Sequence, residues 1–135
     1  MARDHIALED IPDFFGSDRF ACEQAGCCID EYRKGYARCS MKLSPSHYNG
    51  ANAVMGGAVF TLADYAAGVA ANADEPPSVS ASATIEFLNS SKGSVLYATA
   101  TVDKTGRRLA YCTVDVTDDQ DVHVARMITS LCRIA

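Results

Sequence analysis

The chain predicts an α+β fold in which one antiparallel β-sheet wraps a single buried helix. Three features carry that prediction. Residues 56–71, running Gly-Gly-Ala-Val-Phe-Thr-Leu-Ala-Asp-Tyr-Ala-Ala-Gly-Val-Ala-Ala, are apolar on nearly every side, and a helix without a polar face belongs inside a protein. Beyond Pro77 the residues alternate apolar and polar between short polar turns, the period of half-buried strands. The 135 residues hold no internal repeat, low-complexity tract or linker. One domain of that length buries about two-thirds of its unfolded surface, enough to enclose a helix.

Residues 1–25 read as a short helical N-terminal layer ahead of a main body at 26–135. Ile6, Leu8, Ile11, Phe14, Phe15, Phe20 and Cys22 recur near helical spacing. Pro12 and Gly16 should divide the layer into two short pieces. Strands follow at 26–33 and 35–43, joined by a tight turn at Lys34-Gly35. In the second, Tyr36, Arg38, Ser40 and Lys42 alternate with Ala37, Cys39, Met41 and Leu43. A polar loop at 44–55 leads into the central helix, which Asn72, Asp74, Pro76 and Pro77 should end near residue 72. Four long strands, 79–89, 94–103, 109–117 and 122–134, then predict an antiparallel meander. Such a sheet leaves open edges and a partly uncovered face, so a homo-oligomer is expected.

Composition narrows the function. A net charge of −5 argues against nucleic acid, whose phosphates are held by Lys and Arg. An anionic small molecule needs only a local basic patch, and Lys92, Lys104, Arg107 and Arg108 sit in turns. The longest apolar run, 53–71, is broken by Gly56, Gly57, Thr61, Asp64 and Gly68, so no membrane partner is expected. The charged start, Met1 to His5, lacks an apolar segment of signal-peptide length. The six cysteines form no Cys-x-x-Cys pair, and no histidine lies at zinc spacing, so no metal is expected. Reduced thiols and a cytoplasmic location follow.

The residues suited to chemistry cluster around the helix. Asp64 lies in its middle with Phe60, Thr61, Ala67 and Gly68 at the i±3 and i±4 positions. None is basic, and an unpaired buried charge is costly. Its readings are a general base or nucleophile, or a buried acid that caps backbone or faces a subunit interface. Gly56-Gly57 open the helix, where unpaired N–H groups can hold the oxygen of a polarised carbonyl. Otherwise the pair only serves the turn's dihedral angles. His47, Asn49 and Asn52 in the preceding loop are either substrate contacts or turn formers. Ser80 and Ser82 begin a strand that should lie beside the helix. No Ser-His-Asp elbow, phosphate loop or dinucleotide fingerprint is present.

The run Asn49-x5-Met55-Gly56-Gly57-x3-Thr61-Leu62-Ala63-Asp64 resembles the Asn…His-Gly-Gly…Thr-Leu-x-Asp motif of hotdog-fold thioesterases of the PaaI-like and acyl-CoA thioesterase 13-like group. The resemblance extends over about residues 26–132. It continues through Ile85-Glu86-Phe87-Leu88, Gly93, Gly106-Arg107, Val114-Asp115-Val116-Thr117 and Val124-Ala125. It implies a hotdog fold, hydrolysis of acyl-CoA thioesters without a cofactor, and homodimers paired into homotetramers with each site at a dimer interface. By position it makes Gly56 the N–H donor to the thioester oxygen and Asp64, from the opposite subunit, the base or nucleophile. Asn49 takes the motif asparagine's place. Ser80 holds the water, with Ser82 as the alternative two residues on. Gly57, His47, Met55 and Arg107 are expected to contact substrate.

One position departs from the motif. Met55 stands where the family has histidine, and methionine neither donates a hydrogen bond nor carries charge. Losing a polar group beside a developing oxyanion costs on the order of 2–4 kcal/mol if that group aids catalysis. A second reading therefore stands beside the enzyme: a hotdog protein that binds acyl-CoA, or an aromatic or fatty acid, without turnover. A hotdog hydratase, which needs both Asp and His in its motif, ranks last.

Overall fold

The structure, a computed structural model, describes residues 5–134. The first four residues of the charged N-terminus, and with them the start of the 1–25 layer, lie outside that range. The layer consists of a 3-10 turn (Leu8–Asp10), a short helix α1 (Ile11–Gly16) and a π-helical turn (Arg19–Gln24). Strands β1 (Cys27–Arg33) and β2 (Tyr36–Lys42) form the hairpin at Lys34-Gly35. Gly35 adopts φ of 79° there, open to glycine at little cost. A 3-10 turn (Pro45–His47) precedes the central helix α2 (Gly56–Asn72). Strands β3 (Ser78–Phe87), β4 (Val95–Thr105), β5 (Leu109–Asp118) and β6 (His123–Arg133) complete the chain.

The six strands form one sheet in the order β1-β2-β4-β5-β6-β3, every neighbouring pair antiparallel. This is the hotdog arrangement. It corrects the expected meander in one respect: β3 does not pair with β4. It lies beyond β6 at the sheet edge, so the connection after Phe87 crosses back over the sheet end to start β4. Alternation cannot reveal this, because the same pattern suits any neighbour.

Helix α2 packs against one face of the sheet. Ala37, Cys39 and Met41 of β2, Leu96, Ala98 and Ala100 of β4, and Cys112, Val114 and Val116 of β5 are completely buried. They share the core with Leu62, Ala63, Ala66, Val69 and Ala70 of α2, also completely buried. The many alanines let helix and sheet approach closely, and each larger side chain buried contributes about 1.5–3 kcal/mol. The N-terminal layer covers part of the helix. Phe15 stacks edge-on against Tyr65 at 5.9 Å, and the Tyr65 hydroxyl donates to the Phe15 carbonyl at 3.1 Å. Gly68 admits that ring, since a Cβ there would lie 3.2 Å from it.

The C-terminal end of α2 is tied to the sheet. Asn72 bonds both the N–H and the carbonyl of Ser78, fixing the turn into β3. Buried Arg133 donates to the carbonyls of Ala71 and Pro76 and pairs with Glu75 at 3.3 Å. A cation suits the negative end of a helix. No helix of the described residues is long and apolar enough to cross a membrane.

Strand β3 stands apart. Strands β5 and β6 alternate buried and less buried residues along most of their length, whereas Val79 through Thr84 of β3 are exposed on both faces. Val79 and Phe87 are more than half exposed. A ten-residue edge strand with apolar side chains on view is a template for another strand.

Candidate active site

The loop before α2 is held by its own polar side chains. The Asn49 side-chain carbonyl accepts the N–H groups of Ala51 and Ala53 at 2.9 and 3.1 Å. Buried His47 accepts the Ser44 N–H at Nδ1 (2.9 Å), which leaves Nε2 to donate to the Ala25 carbonyl at 2.7 Å. Both ring nitrogens are thus engaged within the chain. His47 braces the loop against the N-terminal layer, and the Met55 N–H donates to its carbonyl at 2.8 Å.

That loop delivers the start of α2. Met55 occupies the N-cap position and supplies no side-chain cap, where Ser, Thr, Asp or Asn would normally satisfy a first-turn N–H. The N–H groups of Ala58 and Val59 turn back to the Met55 carbonyl. Those of Gly56 and Gly57 have no acceptor among the described residues. A Cβ on Gly57 would meet nothing within 4 Å, so a ligand can reach this backbone closely. On Gly56 it would lie 3.1 Å from the exposed Phe87 ring.

Asp64, half-buried, faces the β3 edge. Its Oδ1 accepts the Ser80 hydroxyl at 2.6 Å, and Oδ2 has no hydrogen-bond partner among the described residues. The two serines are therefore distinguished. A bulge between Ser80 and Ser82 shifts the β3 register. Ser80 turns to the helix, whereas Ser82 meets Ser130 of β6 at 3.3 Å. Ser82 does not reach Asp64, because the added residue reverses its face of the strand.

Two residues escaped the sequence reading. Asp18 lines two adjoining clefts together with Asp64, of about 380 and 300 Å³. It sits at the N-cap position of the π-helical turn without capping it. Burial raises its pKa, and the neighbouring Asp64 carboxylate raises it further. The two acids lie 46 positions apart in sequence, so no local pattern joins them. The second is Asp118, only 2% exposed. Burial alone would raise its pKa. The N–H groups of Val122, Lys92 and Gln120 and the Ser91 hydroxyl outweigh that and bring it to about 2. Asp118 thereby ties the β5–β6 turn to the crossover at Ser91–Gly93.

That crossover lines a cleft with Gly56, so Asp118 braces the site from behind. Asp118→Asn is expected to lower stability by on the order of 2–3 kcal/mol at pH 7, measured by urea unfolding. The folded pKa lies below the ordinary 3.8, so the carboxylate's contribution is fully present above that value. It fades as pH falls toward 2, and the gap between variant and wild type should close over that window.

Of the four cations expected in turns, Lys104 instead lies within β4, and the other three divide between the two ends of α2. Lys92 lies in the crossover near the Gly56 end. Arg107 and Arg108 lie in the β4–β5 turn, whose flanking Thr105 meets Arg133 at the far end. Within one chain, Arg107 and Gly56 are thus brought to opposite ends of the helix. All six cysteines are free. Burial pushes the Cys27 and Cys112 thiols up to about 12 and raises Cys39 as well, which makes them poor nucleophiles. Among the described residues no group of three His, Cys, Asp or Glu side chains is placed to hold a metal.

A six-stranded antiparallel sheet packed on one long central helix defines a hotdog protein. A model of the thioesterase superfamily matches residues 51–125. Acyl-coenzyme A thioesterase PaaI of Escherichia coli (strain K12) is 32% identical over 107 residues, which cover 78% of this chain and 76% of that protein. The solved structure of E. coli PaaI, from the phenylacetic acid degradation operon, has a TM-score of 0.88 at 26% identity, covering 94% and 92% of the two chains. A hypothetical thioesterase protein with coenzyme A from Streptococcus pneumoniae TIGR4 shares the fold, with a TM-score of 0.82 at 22% identity over 92% and 97%. The chain belongs to the thioesterase superfamily, as a PaaI-like hotdog member.

Proposed function

We propose that the protein is an acyl-CoA thioesterase whose active site is built from two copies of the chain. The observation that carries this reading is a separation. Gly56 and Asp64 are eight residues apart on one helix, about 12 Å along its axis. Reacting groups must approach to about 3–3.5 Å. A carbonyl held at the Gly56 N–H is therefore out of reach of Asp64 in the same chain. Asp64, bonded to Ser80 of the exposed edge strand, faces the surface where a second copy adds its own β3. A two-fold axis across that edge gives each Gly56 the other chain's Asp64.

In this reading the thioester oxygen accepts the Gly56 N–H. As the carbonyl carbon becomes tetrahedral, charge grows on that oxygen, and the helix N-terminus stabilises it. Asp64 removes a proton from water, which attacks the carbon, or attacks directly to form a mixed anhydride that water then opens. Either way the C–S bond breaks, the CoA thiolate takes up a proton, and the free acid leaves. Ser80 holds Asp64 by one oxygen and leaves the other for the proton or the carbon. The Asn49 carbonyl is spent on the loop, so its NH₂ group is the part available to substrate. Lys92 is the cation in the same chain best placed for a CoA phosphate. The reading includes a cytoplasmic homodimer that pairs into a tetramer.

The test is release of free thiol across a panel of acyl-CoA thioesters. Turnover of at least one member is the expected result. In a single turnover in ¹⁸O-water, label found in Asp64 establishes direct attack, with water opening the anhydride at the Asp64 carbon. The exposed, apolar Met55 beside the unpaired N–H groups favours one competing reading, a binding protein. Tight acyl-CoA binding with no thiol release would establish it instead.

A further inference from the structure

A cleft of about 530 Å³ at the start of α2 is lined by Phe20, Ala25, His47, Met55, Ala58 and Thr61, with the Gly57 backbone at its edge. Its side chains are apolar or already engaged. His47 uses both ring nitrogens. The Thr61 hydroxyl donates to the Gly57 carbonyl at 2.8 Å, and the Ser46 hydroxyl lies 3.0 Å from that of Ser44. Among the described residues only the exposed Gln24 amide and the Gly57 N–H have no partner there. Two large apolar side chains are nonetheless left in solvent, Phe20 at 66% exposure and Met55 at 57%. The cleft on the other side of Gly56 differs. It is mixed: Asn89, Ser90 and Ser91, next to Lys92, face Val59, Phe87 and Leu88.

We propose that the Phe20–Met55 cleft receives the acyl group, and that Met55 makes the protein select acyl groups without polar substituents. The inference rests on the thioesterase reading above and adds the substrate class to it. A thioester whose oxygen sits at the Gly56 N–H has its acyl side and its pantetheine side leaving in different directions. The apolar cleft suits a short alkyl chain or an aromatic ring, and its volume lies within the range of small-molecule sites. The mixed cleft, with Lys92 beyond it, suits the pantetheine arm, in which amides alternate with alkyl segments, and its phosphates. A hydroxyl on the acyl group would enter a cleft in which no unengaged side chain but Gln24 could bond it. Only Gln24 and the Gly57 N–H could replace the hydrogen bonds to water that it gives up, and neither belongs to the apolar wall at Phe20 and Met55. A histidine at position 55 would offer such a group a partner; the methionine offers only contact.

The experiment compares matched pairs: hexanoyl-CoA with its terminally hydroxylated analogue, and phenylacetyl-CoA with its para-hydroxy analogue. Wild type should favour the unsubstituted member in kcat/KM by roughly 10–100-fold, the range an apolar pocket achieves against an added hydroxyl. Met55→His and Met55→Gln should each bring that ratio down by about tenfold, by accepting the hydroxylated member. Because Met55 is exposed, neither variant should disturb folding. A wild-type ratio near one, or a ratio that both substitutions leave unchanged, overturns the proposal. The same acyl groups presented as non-hydrolysable CoA thioethers give the ratio as binding constants. Selective binding without turnover would reject hydrolysis and retain the acyl cleft. Turnover without selectivity would retain hydrolysis and reject the cleft's assignment.

Discussion

Asp64→Asn is expected to lower kcat/KM for acyl-CoA hydrolysis by at least about 100-fold, the usual scale for removing an acid–base group, while the fold survives. Asparagine matches aspartate in shape, and its side-chain oxygen can still accept the Ser80 hydroxyl that Asp64 Oδ1 now accepts. It cannot take a proton from water or attack a carbonyl. Asp64 is half-buried and makes no ion pair within 4 Å among the described residues. The substitution thus removes a charge from beside Asp18 and breaks no structural network. Unfolding should occur at the wild-type temperature or slightly above it, because relief of the repulsion with Asp18 stabilises the folded state. Thiol release measured beside thermal unfolding gives both quantities. Wild-type turnover in the variant would remove Asp64 from the mechanism.

What the sequence could convey followed from how local each feature is. Helix α2 was legible to the residue, because an apolar run opened by two glycines and closed by Asn72 and two prolines has only one good conformation. The β1–β2 hairpin was legible for the same reason, through Lys34-Gly35 and strict alternation. The position of β3 was not. Its ten residues carry no mark of which neighbour they join, and pairing with β6 is decided by the whole sheet. The site divides in the same way. Gly56 and Asp64 stand out as exceptions to their surroundings, a turn pair and an acid in an apolar helix. Ser80 and Ser82 look alike in sequence, and a single bulge separates them. His47 looked available to substrate, but the carbonyl it meets belongs to Ala25, 22 residues earlier. Asp18 and Asp118 gave no signal of their own, since both draw their character from distant chain segments.

The proposed assembly of the site from two chains leads to a result that no single-chain arrangement can produce. Gly56→Pro should be nearly inactive, because it deletes the N–H proposed to hold the oxyanion; losing one such donor costs about 10²–10³-fold in kcat. Gly56 is the first residue of α2, where proline's fixed φ suits the helix and its missing N–H breaks no helical bond. Met55 before it already has φ of −63° and ψ of 136°, a conformation that proline tolerates in its predecessor. The added ring atoms would press on Phe87, which is exposed and can move aside. Asp64→Asn should be nearly inactive as well. When the two variants are unfolded together and refolded, about half the dimers formed at random are mixed. In a mixed dimer one site collects both defects, and the other joins an intact Gly56 to the other chain's intact Asp64. Activity should return to about one quarter of that of refolded wild type, because one site in two is whole in half the dimers. If each chain used its own Gly56 and Asp64, every site in the mixture would carry one defect and activity would stay at the level of the separate variants.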